Sequence, residues 1–342
     1  MQTENYLIRK SSLEKLFTNL IGNGKTIYAP KAKGDLALFA KVDAFEEITE
    51  DYIVTANSAK SLVFPRAEKL FSYKKSKENT EINDAASDTF PDVVLWGTRP
   101  CDAAAFIPLN NNFNEDTPDI IFSKRSQKVL VMSFSCSRCN EYCFCTSVNG
   151  GPGNTTGSDI LLTKLSEGDY LAEVMTEKGQ LLVKENSDLF EGAPEEGKER
   201  NLAQVTTRFN QEEIQAKLQN LFENPLWDEQ SRACLGCGAC TYVCPVCSCF
   251  DIQDEAHGNK GTRLRCWDSC GFGLFTLHTS GHNPRDKQGG RWRQRILHKF
   301  LYLPNKSKIA GCVGCGRCGK SCPADINILD TLTALQGEPH HG

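Results

Sequence analysis

The sequence predicts an α+β protein in two parts, an N-terminal α/β domain over residues 1–223 and a cysteine-rich domain over residues 224–342. Three observations predict it. Strand-like and helix-like stretches alternate between Asp92 and Phe134, the pattern of an α/β layer. An amphipathic helix over 211–222 uses Ile214, Leu218, Leu221 and Phe222, and Pro225 closes it. Beyond that point one cysteine spacing occurs twice, the internal repeat of the chain.

Taken in order, residues Ser12 to Ile21 place Leu13, Leu16, Phe17 and Leu20 on one helical face. Thr26 to Ala29 and Leu36 to Val42 read as strands around a turn at Lys33-Gly34-Asp35. Leu62-Val63-Phe64 is strand-like, and Pro65 to Phe71 carries a short apolar pattern. Tyr73 to Asp88 is polar and is expected as an exposed loop. Asp92 to Trp96 is a buried-strand pattern, and Asp102 to Leu109 is helix-like with Asp102 as its N-cap. Lys128 to Phe134 is a second apolar strand. Tyr170 to Met175 and Leu181 to Lys184 read as a hairpin turning at Lys178-Gly179, and acidic Ser187 to Arg200 as surface.

The repeat decides the chemistry. Cys234, Cys237, Cys240 and Cys244 precede Pro245, and Cys312, Cys315, Cys318 and Cys322 precede Pro323. This is the spacing with which bacterial ferredoxins bind [4Fe–4S] clusters, the fourth cysteine serving the other run's cluster. One cluster is therefore assigned to Cys234, Cys237, Cys240 and Cys322, and the other to Cys312, Cys315, Cys318 and Cys244. Structural zinc uses separated CxxC knuckles, and two complete runs favour iron–sulfur. The second domain is expected to be a dicluster ferredoxin-like fold carrying a long, mainly helical insertion over 245–311.

Further cysteines form two groups. Cys101 follows the first strand of the α/β unit, and Cys136, Cys139, Cys143 and Cys145 follow the second. Ligands converge at strand ends in open α/β sheets. Cys101, Cys136, Cys143 and Cys145 are the expected ligands of a third [4Fe–4S] cluster, against the alternative of reduced core thiols. In the insertion, Cys247, Cys249, Cys266 and Cys270 are either a fourth metal site or buried thiols shielding the clusters; no fixed motif covers them. Arg263, Arg265, Arg285, Lys287, Arg291, Arg293, Arg295 and Lys299, with Trp292, Phe300 and Tyr302 among them, make a basic stretch. It reads as a docking surface for an acidic redox partner, as stabilisation of reduced clusters, or as a solvated helix face.

Composition narrows the class. The chain has 342 residues, a formal net charge of −4 and 39% apolar residues, a balance that gives no argument for nucleic acid. No stretch approaches the roughly 18 apolar residues of a membrane span, and Met1 to Lys10 lacks a signal-peptide core. Seventeen cysteines without an export signal point to the cytoplasm of an anaerobe or facultative anaerobe. No Gly-x-Gly-x-x-Gly unit or nucleophile elbow occurs, and Gly150-Gly151-Pro152-Gly153 lacks the ending of a phosphate loop. His257, His278, His282 and His298 are irregularly spaced and read as packed or surface residues.

Assembled, these residues resemble the iron–sulfur subunit of anaerobic sulfite reductase and, equally, the beta subunits of cytosolic sulfhydrogenases. The resemblance runs through Gly97-Thr98-Arg99-Pro100-Cys101-Asp102, Cys136 and Cys143-Phe144-Cys145. It continues through Cys234 to Cys240, Cys244-Pro245, Cys247, Cys249, Trp267 and Ser269-Cys270. It ends with Gly281-His282, Pro284-Arg285, Leu297-His298-Lys299 and Cys312 to Cys318. Cys139 and Cys266 depart from the family pattern. The resemblance implies a non-catalytic electron-transfer subunit of a hetero-oligomer. Its donor would be a flavin (FAD) subunit oxidising NAD(P)H. Its acceptor would be a sirohaem sulfite reductase or, alternatively, a nickel–iron hydrogenase or heterodisulfide-reductase-like subunit. An iron–sulfur protein that catalyses or senses alone is the competing class.

Overall fold

Val93–Thr98 and Val129–Phe134 are apolar on both faces, as strands covered on both sides must be. They lie side by side and parallel at the centre of the computed structural model, which describes residues 3–337. The strands are β1 (Glu4–Ile8), β2 (Thr26–Lys33), β3 (Leu36–Val42), β4 (Ala67–Lys75), β5 (Thr80–Asp84) and β6 (Val93–Thr98). They continue with β7 (Val129–Phe134), β8 (Ile160–Lys164), β9 (Tyr170–Val174), β10 (Phe190–Glu191), β11 (Phe250–His257) and β12 (Lys260–Trp267). The main sheet has eight strands in the order β10-β1-β9-β8-β7-β6-β2-β3. Its centre, β2, β6, β7 and β8, is parallel, and its flanks are antiparallel.

Each face has its own core. The helix Ser12–Gly22 buries Leu13, Leu16, Phe17 and Leu20 as its periodicity requires, against Ile27, Val94, Trp96 and Ile160. On the other side, helices between β6 and β7 bury Leu109, Phe113 and Phe122 with Leu95, Val129 and Phe64. The α+β class and the strands at 26–33, 36–42, 93–98 and 129–134 match the sequence reading. Among the described residues no helix is long and apolar enough to cross a membrane.

Four stretches differ from expectation, each for a physical reason. Residues 73–88 are not a loop: they complete β4 and form β5, exposed along its length, and a short 3₁₀ turn. Their polarity reported exposure correctly, but their partner is distant. Strand β12 of the insertion pairs with β4, giving a second sheet in the order β11-β12-β4-β5. The insertion therefore opens with a β-hairpin, and its helices follow over Gln288–Leu297 and Leu303–Ser307.

The expected hairpin at Lys178-Gly179 is a strand followed by a helix, Glu177–Glu185. Thr176 Oγ1 caps this helix by accepting from the Gly179 N–H at 3.2 Å. Gly179 is there for proximity, since a Cβ would stand 2.6 Å from the Asp159 carbonyl oxygen. Asp102 is not an N-cap, because the helix starts at Pro100 behind Arg99. The Asp102 carboxylate instead accepts from Arg317, and both side chains are buried.

Packing crosses residue 224. Phe144, Val148, Phe209, Ile214 and Leu218 share one apolar cluster with Trp227, Trp292, Ile296, Phe300 and Leu332. A buried charge network fastens the second sheet. Arg265 of β12 donates to Glu68 of β4 and to Asp119, and Arg125 donates to the same Glu68. Removing one partner of such a network strands the others. Glu68→Ala is expected to cost about 3–5 kcal/mol, seen as a lower urea midpoint at unchanged slope; a wild-type midpoint would deny the network this role.

Candidate iron–sulfur sites

The two cysteine runs fold alike because their glycines allow one backbone path. Gly236 and Gly238 have φ of +65° and +73°, and Gly314 and Gly316 have +64° and +72°. Only glycine takes these angles without strain. Each pair leads into a short helix, Ala239–Tyr242 and Arg317–Lys320. The second turn is also pressed against the N-terminal half. A Cβ on Gly314 would lie 2.5 Å from Cys145 backbone, and one on Gly316 would lie 2.4 Å from the Tyr142 carbonyl oxygen. The Phe144 N–H donates to the Gly314 carbonyl at 2.9 Å.

The crossed pattern is visible in the first site. Cys234, Cys237, Cys240 and Cys322 line one enclosed, apolar cavity, joined by Cys270, Trp292 and Arg295. Trp292 Nε1 and Arg295 Nε are buried without a protein acceptor. Buried donors of this kind call for an acceptor, and cluster sulfides are acceptors, so the cavity suits the iron–sulfur group its cysteines imply. Gln288 Nε2 lies 3.1 Å from Cys234 Sγ. Cys237 is exposed, unlike the other sixteen cysteines.

The second set is deeper. Burial pushes the Cys312 thiol up to about 11 and the Cys315 thiol up to about 12, and the charge of Cys244 bears on both. Cys244 itself is held well below the usual thiol range, first by a hydrogen bond from Cys247 and then, against burial, by Lys299 and Arg295. Lys299 Nζ lies 3.3 Å from Cys244 Sγ and donates to the Gly311 carbonyl at 2.6 Å. The ammonium thus spans the end of the first run and the start of the second.

The third set sits where parallel strands end. Cys101 follows β6 and Cys136 follows the neighbouring β7. Burial pushes Cys101 well up, Cys136 up to about 11 and Cys145 up to about 12, and Cys136 bears on both of the others. Thiols raised in this way ionise when a metal replaces the proton. Cys143 is raised by burial and lies beside Cys145. Cys139 turns aside, its Sγ 3.2 Å from the Gln204 carbonyl oxygen. Cys101, Cys145 and Cys312 share the wall of another cavity, so the third set borders the second.

Of the insertion's cysteines, Cys249 and Cys270 hydrogen-bond across the base of the β11–β12 hairpin, where the Asp268 N–H also donates to the Cys249 carbonyl at 3.0 Å. Cys247 pairs with Cys244, and Cys266 lies within β12 opposite Asp251. Among the described residues, no three Cys, His, Asp or Glu side chains close around a single metal ion. His282 is exposed against His278, and burial lowers His298 to about 4. Sequence reasoning passed over Lys60, whose Nζ donates to the Cys247 carbonyl at 2.8 Å, and Gln288. Neither residue belongs to a cysteine motif, so no local signal marked it.

The Gly314 contact gives a test. Gly314→Ala is expected to cost the protein more than one cluster's share of iron, by pushing the second run off Cys145. Gly24→Ala, at φ +74° with open space around it, should cost about 1–2 kcal/mol of stability and no iron. Equal iron per chain in the two purified variants would refute the contact's importance.

A 4Fe-4S dicluster domain family matches residues 233–326. The chain is 30% identical to sulfhydrogenase 2 subunit beta of Pyrococcus furiosus, over 94% of its own length and 95% of the relative's. No solved structure matches.

Proposed function

We infer the function from one premise: the chain belongs to the sulfhydrogenase beta-subunit family, and is an iron–sulfur electron-transfer subunit of that kind. The finer reading is that it relays electrons between two other subunits of a hetero-oligomer. The observation that carries it is the arrangement of thiol sets. One has an exposed member, Cys237, the next is buried, and the third borders the second at the strand ends of the main sheet. When bound, a [4Fe–4S] cluster gains or loses single electrons, which suits a relay. The chain's own residues supply position, dryness and charge. Cys234, Cys237, Cys240 and Cys322 would hold one cluster, Cys312, Cys315, Cys318 and Cys244 a second, and Cys101, Cys136, Cys143 and Cys145 a third.

The donor in this reading is a flavin subunit oxidising NAD(P)H. The acceptor expected from the sequence motifs is a sirohaem sulfite reductase. The named relative, from a sulfhydrogenase, favours a second reading in which the acceptor is a hydrogenase. Anaerobic affinity purification from the native host decides between them. A sirohaem spectrum in the purified complex supports the first, and nickel without sirohaem supports the second. Sulfite reduction by the isolated chain with a viologen donor would overturn the relay itself.

The exposed end of the first set is where a partner would approach. Leu235, between Cys234 and Cys237, is 72% exposed, and Leu274 in the neighbouring segment is 75% exposed. That segment lies on the same turn, since a Cβ on Gly238 would meet the Phe272 ring at 2.5 Å. Exposed leucines beside a redox centre suit a dry contact with another subunit. Leu235→Glu is expected to weaken association with one partner by at least about tenfold, because docking would desolvate the new charge. Its own iron content should stay at the wild-type value. Undiminished co-purification of every partner would place the contact elsewhere.

A further inference from the structure

Three buried cations surround the second run's site, and none has a carboxylate. Lys60, Arg295 and Lys299 are 3%, 4% and 4% exposed. Among the described residues, none of them lies within ion-pair distance of an aspartate or glutamate. Other buried arginines differ: Arg317 pairs with Asp102, and Arg265 with Glu68 and Asp119. A buried charge without a counter-charge is costly, typically several kcal/mol even after relaxation. Three together demand an anion at the same place.

The contacts say where that anion sits. Lys299 Nζ reaches Cys244 Sγ at 3.3 Å and the carbonyl beside Cys312 at 2.6 Å. Arg295 sends Nη1 to Cys247 Sγ at 3.5 Å and Nη2 to the Cys240 carbonyl at 3.0 Å. Lys60 stands behind them, 2.8 Å from the Cys247 carbonyl oxygen and 4.0 Å over the Trp267 ring. The nearest sulfurs belong to the junction of the two runs. A cluster with four thiolate ligands is a dianion, and one further electron makes it more negative still.

We propose that Lys299 and Arg295, with Lys60 behind them, set the potential of the cluster held by Cys312, Cys315, Cys318 and Cys244, making it the site in this chain where an electron rests most stably. The proposal rests on the relay reading above. The physics is that of charge in a dry place. A fixed cation stabilises the reduced form more than the oxidised form, so the potential rises. The third set gains less, because the carboxylate of Asp102 offsets Arg317. The first set is partly wet through Cys237, and solvent screens whatever charge reaches it. The trio acts through ligand sulfurs and backbone, so these are positioning residues.

An anaerobic redox titration followed by electron paramagnetic resonance tests this on the full-length protein. Lys299→Met removes the charge and keeps the stem. It is expected to retain full iron and to move one midpoint to lower potential while the others stay. Lys299→Arg restores the midpoint. Lys60→Met, one layer further out, moves the same midpoint by a smaller step. Full iron with unchanged midpoints in Lys299→Met and Lys60→Met overturns the proposal. So does loss of iron in both, which would make the cations a requirement for assembly and not a setting of potential. A wild-type protein without iron would instead overturn the relay reading.

Discussion

The joint between the two halves turns on one buried guanidinium. Arg317 lies in the second cysteine run, yet its partners are Asp102 and Thr55. Asp102 follows Cys101 directly, and Arg317 separates Cys315 from Cys318. A single ion pair therefore fixes the spacing between a strand-end thiol group and a ferredoxin-type loop. Both side chains are about 1% exposed, so the pair cannot be exchanged for water contacts. The glycine turn supports the same joint, because Gly314 and Gly316 let backbone meet backbone at Cys145 and Tyr142. Charge fixes the angle of approach and glycine fixes the distance.

Two kinds of buried positive charge follow from this layout. Arg317 is neutralised within the protein and holds the joint together at no net field. Lys60, Arg295 and Lys299 are not neutralised, and so project their field onto the thiols between the runs. Burying an isolated pair already offsets most of its own attraction. A trio without carboxylates is tolerable only where a resident anion lies within contact distance. The insertion between the runs supplies two of these cations on one helical stretch, and an N-terminal loop supplies the third.

How much of this was legible depends on range. The cysteine spacing was readable because three ligands on one turn must be close in sequence, and Cys322 fell into the cavity of the first run as the repeat demanded. The strands at 93–98 and 129–134 were readable because burial on both faces leaves an apolar run. Strand β5 was not, since its polar residues gain their place from β4 and, beyond it, a hairpin that starts at Phe250. Helix 177–185 was misread because Gly179 looks like a turn residue, while its role is close approach to Asp159. Lys60 carries no mark at all in the sequence: a lysine becomes unusual only when folding removes its water.

The second sheet explains why the insertion is so long. A compact pair of clusters needs few residues between its runs, whereas 67 residues separate Cys244 from Cys312. The hairpin in that stretch does not touch the first cavity with its strands; it pairs with β4 and anchors through Arg265 to Glu68. Its base then carries Cys249 and Cys270 together, and Trp267 beneath Lys60. From there the chain passes over the first run through Phe272 and returns as the helix that bears Trp292, Arg295 and Lys299. The insertion is thus a brace built on the N-terminal half, which delivers buried donors and cations to a dicluster core too small to bury them alone. The consequence is that the cluster environment is set by residues distant from any cysteine motif, so chains sharing every cysteine can still hold electrons at different potentials.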